Sequence, residues 1–228
     1  MCAAFGGLHI AAVVAEGFSG GEPWPEVEAG LAALEAAAAA GDVLADGEDD
    51  PHIAAWHAAY RAFGTNPRRE RPSVDALRRR LARSGRLPRI NAAVDCYNLV
   101  SASHAVPAGA FDLDAVEGDI TVRFATGTES FTPLGEPATT DRPRPGEVIY
   151  TDTKSVLTRH WNHRDADRTK VTAGSRHIVF LLETTQSPEF GAAVDAAAAD
   201  LAGRLAARSR QVISHRMSPA SPAAPLTP

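Results

Sequence analysis

The sequence predicts an α+β fold in a single domain, on three observations. Ala-rich, helix-forming stretches stand toward both ends, at Glu26 to Ala40 and about Pro188 to Arg208. Between them, Ile120, Val122 and Phe124 alternate with Thr121 and Arg123, the period of a half-buried strand. A continuous apolar run, His177 to Glu183, reads as a strand buried on both faces. Grouped helices around grouped strands argue against alternating βα units.

The elements follow in order. Residues 7 to 18 read as a strand, and Pro23 and Pro25 open the first helix, which Gly41 stops. The acidic residues from Gly47 to Asp50 read as a surface loop. Asp50-Pro51 makes an N-cap and first-turn pair for a helix that places Ile53, Trp56 and Tyr60 on one face. Ser73 is the expected cap of an Arg-rich helix from Val74 to Arg83, with Val74, Leu77 and Leu81 as its buried stripe. Asn91 to Ala105 is a further, central helix. After Pro107 the pattern turns to strands, including Val148 to Tyr150 and Val156 to Thr158. The expected organisation is residues 1–55 packed on the core, 56–185 as the central unit, 186–217 as a C-terminal helix and 218–228 as a disordered Pro-rich tail.

With 228 residues, 44% hydrophobic and 22% charged, the chain has the composition of a soluble globular protein. Cys2 and Cys96 are too few for a disulfide scaffold or a four-cysteine zinc site, and they suit a reducing cytoplasm. No apolar run reaches membrane-helix length and the opening residues lack a basic start, so neither a membrane partner nor a secretory signal is expected. Phosphate-binding glycine loops, nucleophile elbows and HExxH are absent. His160, His163, Asp165 and Asp167 are metal-ligand types, but a strand sets His160 and His163 on opposite faces. No metal or cofactor is expected. His52 and His57, five apart on a helix, read as ordinary surface histidines.

The net charge of −5 conceals an asymmetry. Residues 1–60 carry ten acidic side chains and no Lys or Arg, whereas residues 61–89 carry ten arginines against Glu70 and Asp75. Arg68, Arg69, Arg78, Arg79 and Arg83 in this block are candidates for RNA contact, with a solvated helix face as the alternative. A polar row, Asn91, Asp95 and Asn98, extended by Ser101 and His104, follows one face of the central helix. Such a row is either a buried hydrogen-bond network or a site lining. Glu129, after a turn, either projects into a cleft or is a turn residue.

The stretch Phe111 to Glu129, with Asp112, Gly118 and Arg123, resembles the B3/B4 domain of the phenylalanyl-tRNA synthetase β subunit. Asn91 to Val100 resembles that domain's Asn-x-Val-Val-Asp-x-Thr-Asn-Tyr-Val helix, Phe131 to Gly135 its hairpin, and Val148 to Asp152 its following strand. Coverage runs from about Trp56 to Thr185, and the other synthetase modules have no counterpart, so the chain looks like a free-standing B3/B4 protein. The resemblance implies mixed or antiparallel sheets flanked by helices, with a pocket between them, and an editing activity that hydrolyses the ester of mischarged tRNA. It implies that Glu129 matches the glutamate that recognises the wrong side chain and that Asn98 lines the same cleft. Gly109 stands where the synthetase pattern has its editing histidine. The segment Arg159 to Asp165 replaces a glycine-rich loop, placing an aromatic and an Arg toward the pocket.

The expected activity is therefore a trans-acting aminoacyl-tRNA deacylase, an ester hydrolase that needs a positioned water and oxyanion stabilisation but no metal. Glu129, Asn98, His163 and Arg164 are the expected catalytic residues. Asn91, Asp95, Ser101, Gly118, Trp161 and Asn162 are the expected substrate-binding residues, and aminoacylated tRNA is the partner. The alternatives are a non-catalytic tRNA- or RNA-binding module, or a small-metabolite binder of the same fold.

Overall fold

The computed structural model describes residues 1–42 and 47–226. Two antiparallel four-stranded sheets and five helices form one α+β domain. The first sheet has the order β2 (Ala108–Asp112), β7 (His177–Thr184), β1 (His9–Glu16), β8 (Gln211–Met217). The second has the order β3 (Thr121–Phe124), β4 (Val148–Thr151), β5 (Val156–Arg159), β6 (Arg164–Asp165). The helices are α1 (Pro25–Ala39), α2 (Pro51–Ala62), α3 (Ser73–Ser84), α4 (Ala92–His104) and α5 (Gly191–Ala206).

Both central strands of the first sheet are buried on two faces, which is why they read as apolar runs rather than alternations. Ala11, Val13 and Ala15 of β1 and Ile178, Phe180 and Leu182 of β7 pack beneath α1, α4 and α5. Ile10, Ala12 and Val14 of β1 and Val179 and Leu181 of β7 pack on the other side, against α2 and the second sheet. β1 pairs with β7 from His9↔Thr184 to Glu16↔His177 and with β8 from Ile10↔Met217 to Glu16↔Gln211. The N-terminal strand is thus central to the fold.

Several expectations are corrected. The segment 186–217 is not one helix: α5 is followed by β8, an edge strand whose half-exposed residues carry too few apolar side chains to announce it. Ser73 does not cap α3 but is its first residue, and its hydroxyl is buried with no hydrogen-bond partner among the described residues. Asp50 does cap α2, accepting from the backbone of His52 and Ile53. The acidic turn before it is no free loop: Gly47–Asp49 form a short 3-10 turn, and the Gly47 amide donates to Asp75. His57 is buried, with Nε2 3.0 Å from Asp75 and Nδ1 3.1 Å from Glu48. The tail is placed rather than disordered as far as residue 226. Ser218 and Ser221 bridge, and Leu226 packs against the cluster between the sheets. Residues 227 and 228 lie outside the described residues.

Candidate functional site

The β5–β6 connection brings a run of polar side chains into the space between the sheets. His160 and Trp161 adopt left-handed backbone angles, φ 46° and 66°. Such angles cost a non-glycine residue about 1–3 kcal/mol and need surrounding structure to hold them. Here the Trp161 amide donates to Val148 O at 2.7 Å and the His160 amide to Glu147 at 3.1 Å. Glu147 is itself clamped by Arg159, with contacts of 2.9 and 2.8 Å. The turn drives the Trp161 indole inward, where it is fully buried against Phe5 and Trp56.

The indole N–H finds its partner on the first sheet. Glu183, at the end of β7, accepts from Trp161 Nε1 at 2.7 Å and from the Tyr150 hydroxyl at 2.8 Å on Oε2. Its Oε1 accepts from Asn162 Nδ2 at 3.2 Å, and Asn162 in turn accepts from the Tyr60 hydroxyl at 2.7 Å. Burial raises the Glu183 carboxyl above the ordinary range, and the bonds from Trp161, Tyr150 and Asn162 oppose that rise. This network ties α2, β4, β7 and the β5–β6 turn into one unit. Beside it a cavity of about 660 Å³ opens between the sheets, with Tyr150 and Leu181 among its walls.

The expected catalytic residues are not gathered around this network. Glu129 sits in the β3–β4 loop and accepts from the Thr126 and Gly127 amides, the Thr126 hydroxyl and Arg123 at 2.6–3.2 Å. Burial pushes its carboxyl up, but those bonds outweigh it and hold it down at about 2. A carboxylate so pinned anchors a loop and is a poor proton acceptor near neutrality. Asn98 lies half-buried on α4, which packs chiefly on α1, α3, α5 and β2 in the helical layer. His163 Nδ1 is 2.9 Å from the Arg71 carbonyl, and Arg164 is exposed, paired with Glu136 at 2.6 Å.

The polar row on α4 does local structural work. Asn91 caps the helix by accepting from the Val94 amide and also donates to Val171 O, and Asp95 accepts from the Ile90 amide. Ser101 is buried in the helical layer. The residues of α4 that pack inward join the cluster under the helical layer, whereas Trp161 joins the cluster facing the second sheet. Of the expected substrate residues, Gly118 lines the cavity, while Trp161 and Asn162 belong to the buried network. Gly118 has φ 73°, and a Cβ there would come within 2.7 Å of Thr153. Sequence reasoning missed Glu183, Tyr150 and Tyr60. The signal for Glu183 was a carboxylate closing a strand buried on both faces, a place where a charge must find partners.

The arginine block divides in two. Arg78 is not on the outward face: it is buried, donating to Asp50 at 2.7 Å and to the Ala102 carbonyl at 3.0 and 3.1 Å. Arg79 pairs with buried Asp75 at 2.8 Å, and Arg89 binds both Glu28 and Glu35. Arg68, Arg69, Arg80 and Arg83 are exposed and form no ion pair with a carboxylate among the described residues, and exposed Arg86 helps hold down the Glu35 carboxyl. No cluster of three or more His, Cys, Asp or Glu suited to a metal occurs among the described residues, and no described helix is long and apolar enough to cross a membrane.

Antiparallel sheets flanked by helices are what the resemblance implied. The model of the B3/4 domain family matches residues 55–198, more than half of the chain. The protein belongs to the B3/4 domain family. It is 36% identical over 118 residues to the phenylalanine–tRNA ligase beta subunit of Chromobacterium violaceum. That match covers 52% of this chain and 14% of the relative, so the chain spans a small part of that protein's length. An N-terminal fragment of the phenylalanyl-tRNA synthetase beta subunit from Pyrococcus horikoshii superposes with a TM-score of 0.46 at 15% identity, over 91% of this chain and 49% of the fragment.

Proposed function

We propose that this B3/4 protein binds tRNA and hydrolyses the aminoacyl ester at its 3′ end in trans. The observation that carries the reading is the set of four exposed arginines, Arg68, Arg69, Arg80 and Arg83, that form no ion pair with a carboxylate among the described residues. Neighbouring arginines of the same block are consumed by Asp50, Asp75, Glu28 and Glu35. Cations left over after internal pairing suit a phosphate backbone, and a relative named for its tRNA ligase complex makes tRNA the polymer of choice. An aminoacyl ester is already activated, so its hydrolysis needs a positioned water and a stabilised oxyanion. Asn98, His163 and Arg164 are the residues proposed for those roles, with Glu129 fixing the β3–β4 loop.

A second reading, tRNA binding without hydrolysis, is favoured by the pinning of Glu129 within the β3–β4 loop and by the internal pairing of Glu183, Trp161 and Asn162. One experiment separates the two: release of amino acid from a panel of aminoacyl-tRNAs by the wild type, Asn98→Ala and His163→Ala, with tRNA retention measured in parallel. Release by the wild type that falls at least about tenfold in the variants supports the deacylase. Retention without release supports the binding module, and neither retention nor release overturns both.

A further inference from the structure

The cavity between the sheets takes no part in the tRNA reading, and its lining has its own chemistry. Ile10 and Leu181 line it from the first sheet and Val122 from the second, with Leu8 and Ile120, the residues just before β1 and β3, beside them. Its volume of about 660 Å³ is that of a small-molecule site. Among the described residues around it there is no Lys or Arg, and the one charged side chain is Asp119, which is exposed. The Tyr150 hydroxyl is committed to Glu183. A charged ligand entering here would lose hydration to mostly apolar walls, with only the Met1 amino group, Asp119 and the Thr121 and Ser218 hydroxyls on the polar side of the lining, whereas an apolar ligand would not.

The roof is built differently from the walls. Residues 222–226, Pro-Ala-Ala-Pro-Leu, lie over the cavity and have no side-chain hydrogen-bonding group. Leu226 is the one large apolar side chain of residues 218–226, and it packs into the cluster between the sheets. Behind it, the Ser218–Ser221 bridge closes on the segment itself. A roof seated through apolar side-chain contact competes for the same surface as an apolar ligand. We propose that this cavity is a binding site for uncharged, apolar small molecules and that residues 218–226 are its lid.

The test is a fluorescence titration of the full chain with N-phenyl-1-naphthylamine, an uncharged apolar probe. The wild type binds one equivalent saturably. Ile120→Trp, which fills the cavity, weakens binding at least about tenfold, and the smaller Ile120→Phe weakens it less. Leu226→Asp, which unseats the lid, tightens binding or speeds association several-fold. Leu134→Ser, at an exposed apolar residue away from the cavity, changes nothing. Absence of saturable binding in both the wild type and Leu226→Asp overturns the site. So does equal affinity in a folded Ile120→Phe, or loss of binding in Leu134→Ser. Unchanged affinity and association in Leu226→Asp overturns the lid.

Discussion

The two faces of the first sheet are made by the same strands and differ in kind. Toward α1, α4 and α5, β1 and β7 present Ala11, Val13, Ile178, Phe180 and Leu182 to a close-packed layer with Leu31, Leu99, Val194 and Leu201. Toward the second sheet, the alternate residues meet Trp56, Tyr60, Tyr150 and Trp161, a buried carboxylate and a cavity. One face is held chiefly by dispersion and burial; the other spends part of its interior on hydrogen bonds and empty space. Stability is therefore concentrated on the helical side, and binding capacity on the inter-sheet side.

The largest effect is expected from the helical side. Phe180→Ala removes a fully buried ring and should cost about 3–5 kcal/mol in denaturant unfolding. A loss below about 1 kcal/mol would show that this layer is loosely packed. On the other face, Glu183→Leu leaves the donors of Trp161, Tyr150 and Asn162 without their acceptor and should cost about 2–4 kcal/mol. Glu183→Gln keeps an acceptor and should cost less than half as much. Equal costs would mean that the network matters through its volume and not its hydrogen bonds.

Acid sharpens the contrast further. The Glu129 carboxyl is lowered from 4.5 to about 2, so its contribution is complete above about pH 4.5 and is lost as pH falls toward 2. Burial raises Asp165 from 3.8 to about 6 against a bond from the Thr158 hydroxyl, so this group works the other way: stability declines as pH rises from about 4 to 6. Melting temperatures across pH 2–7 should show Glu129→Gln losing part of the acid-side slope and Asp165→Asn losing part of the decline above pH 4. Curves that superpose on the wild type would remove both assignments.

The fold was legible where local chemistry and burial agree. The run His177 to Glu183 announced a strand buried on both faces, and Asp50-Pro51 announced α2 with its cap. β8 was not legible, because the register with β1 supplies its order and its own side chains are half-exposed. Arg78 was misread because helical spacing places it near the stripe of Val74 and Leu81, and only the fold brings Asp50 and the Ala102 carbonyl to meet it. The site was less legible still. Asn91 and Asp95 advertise polarity on one face of α4, yet each satisfies a backbone amide nearby. Glu183 and Trp161 meet across 22 residues, a pairing that no local pattern encodes.

The most direct test of the tRNA reading uses the divided arginine block. Arg80→Gln with Arg83→Gln removes two exposed charges that pair with no described carboxylate, while keeping helix-forming residues. Its melting temperature should match the wild type, because these side chains hold nothing inside the protein. The measurement is tRNA affinity against salt concentration for the wild type and this double variant. We predict weaker binding and a log–log salt slope shallower by about two units, one for each phosphate that is no longer neutralised. Identical slopes and affinities would contradict this, showing that the exposed arginines are a solvated face and that tRNA is not held there.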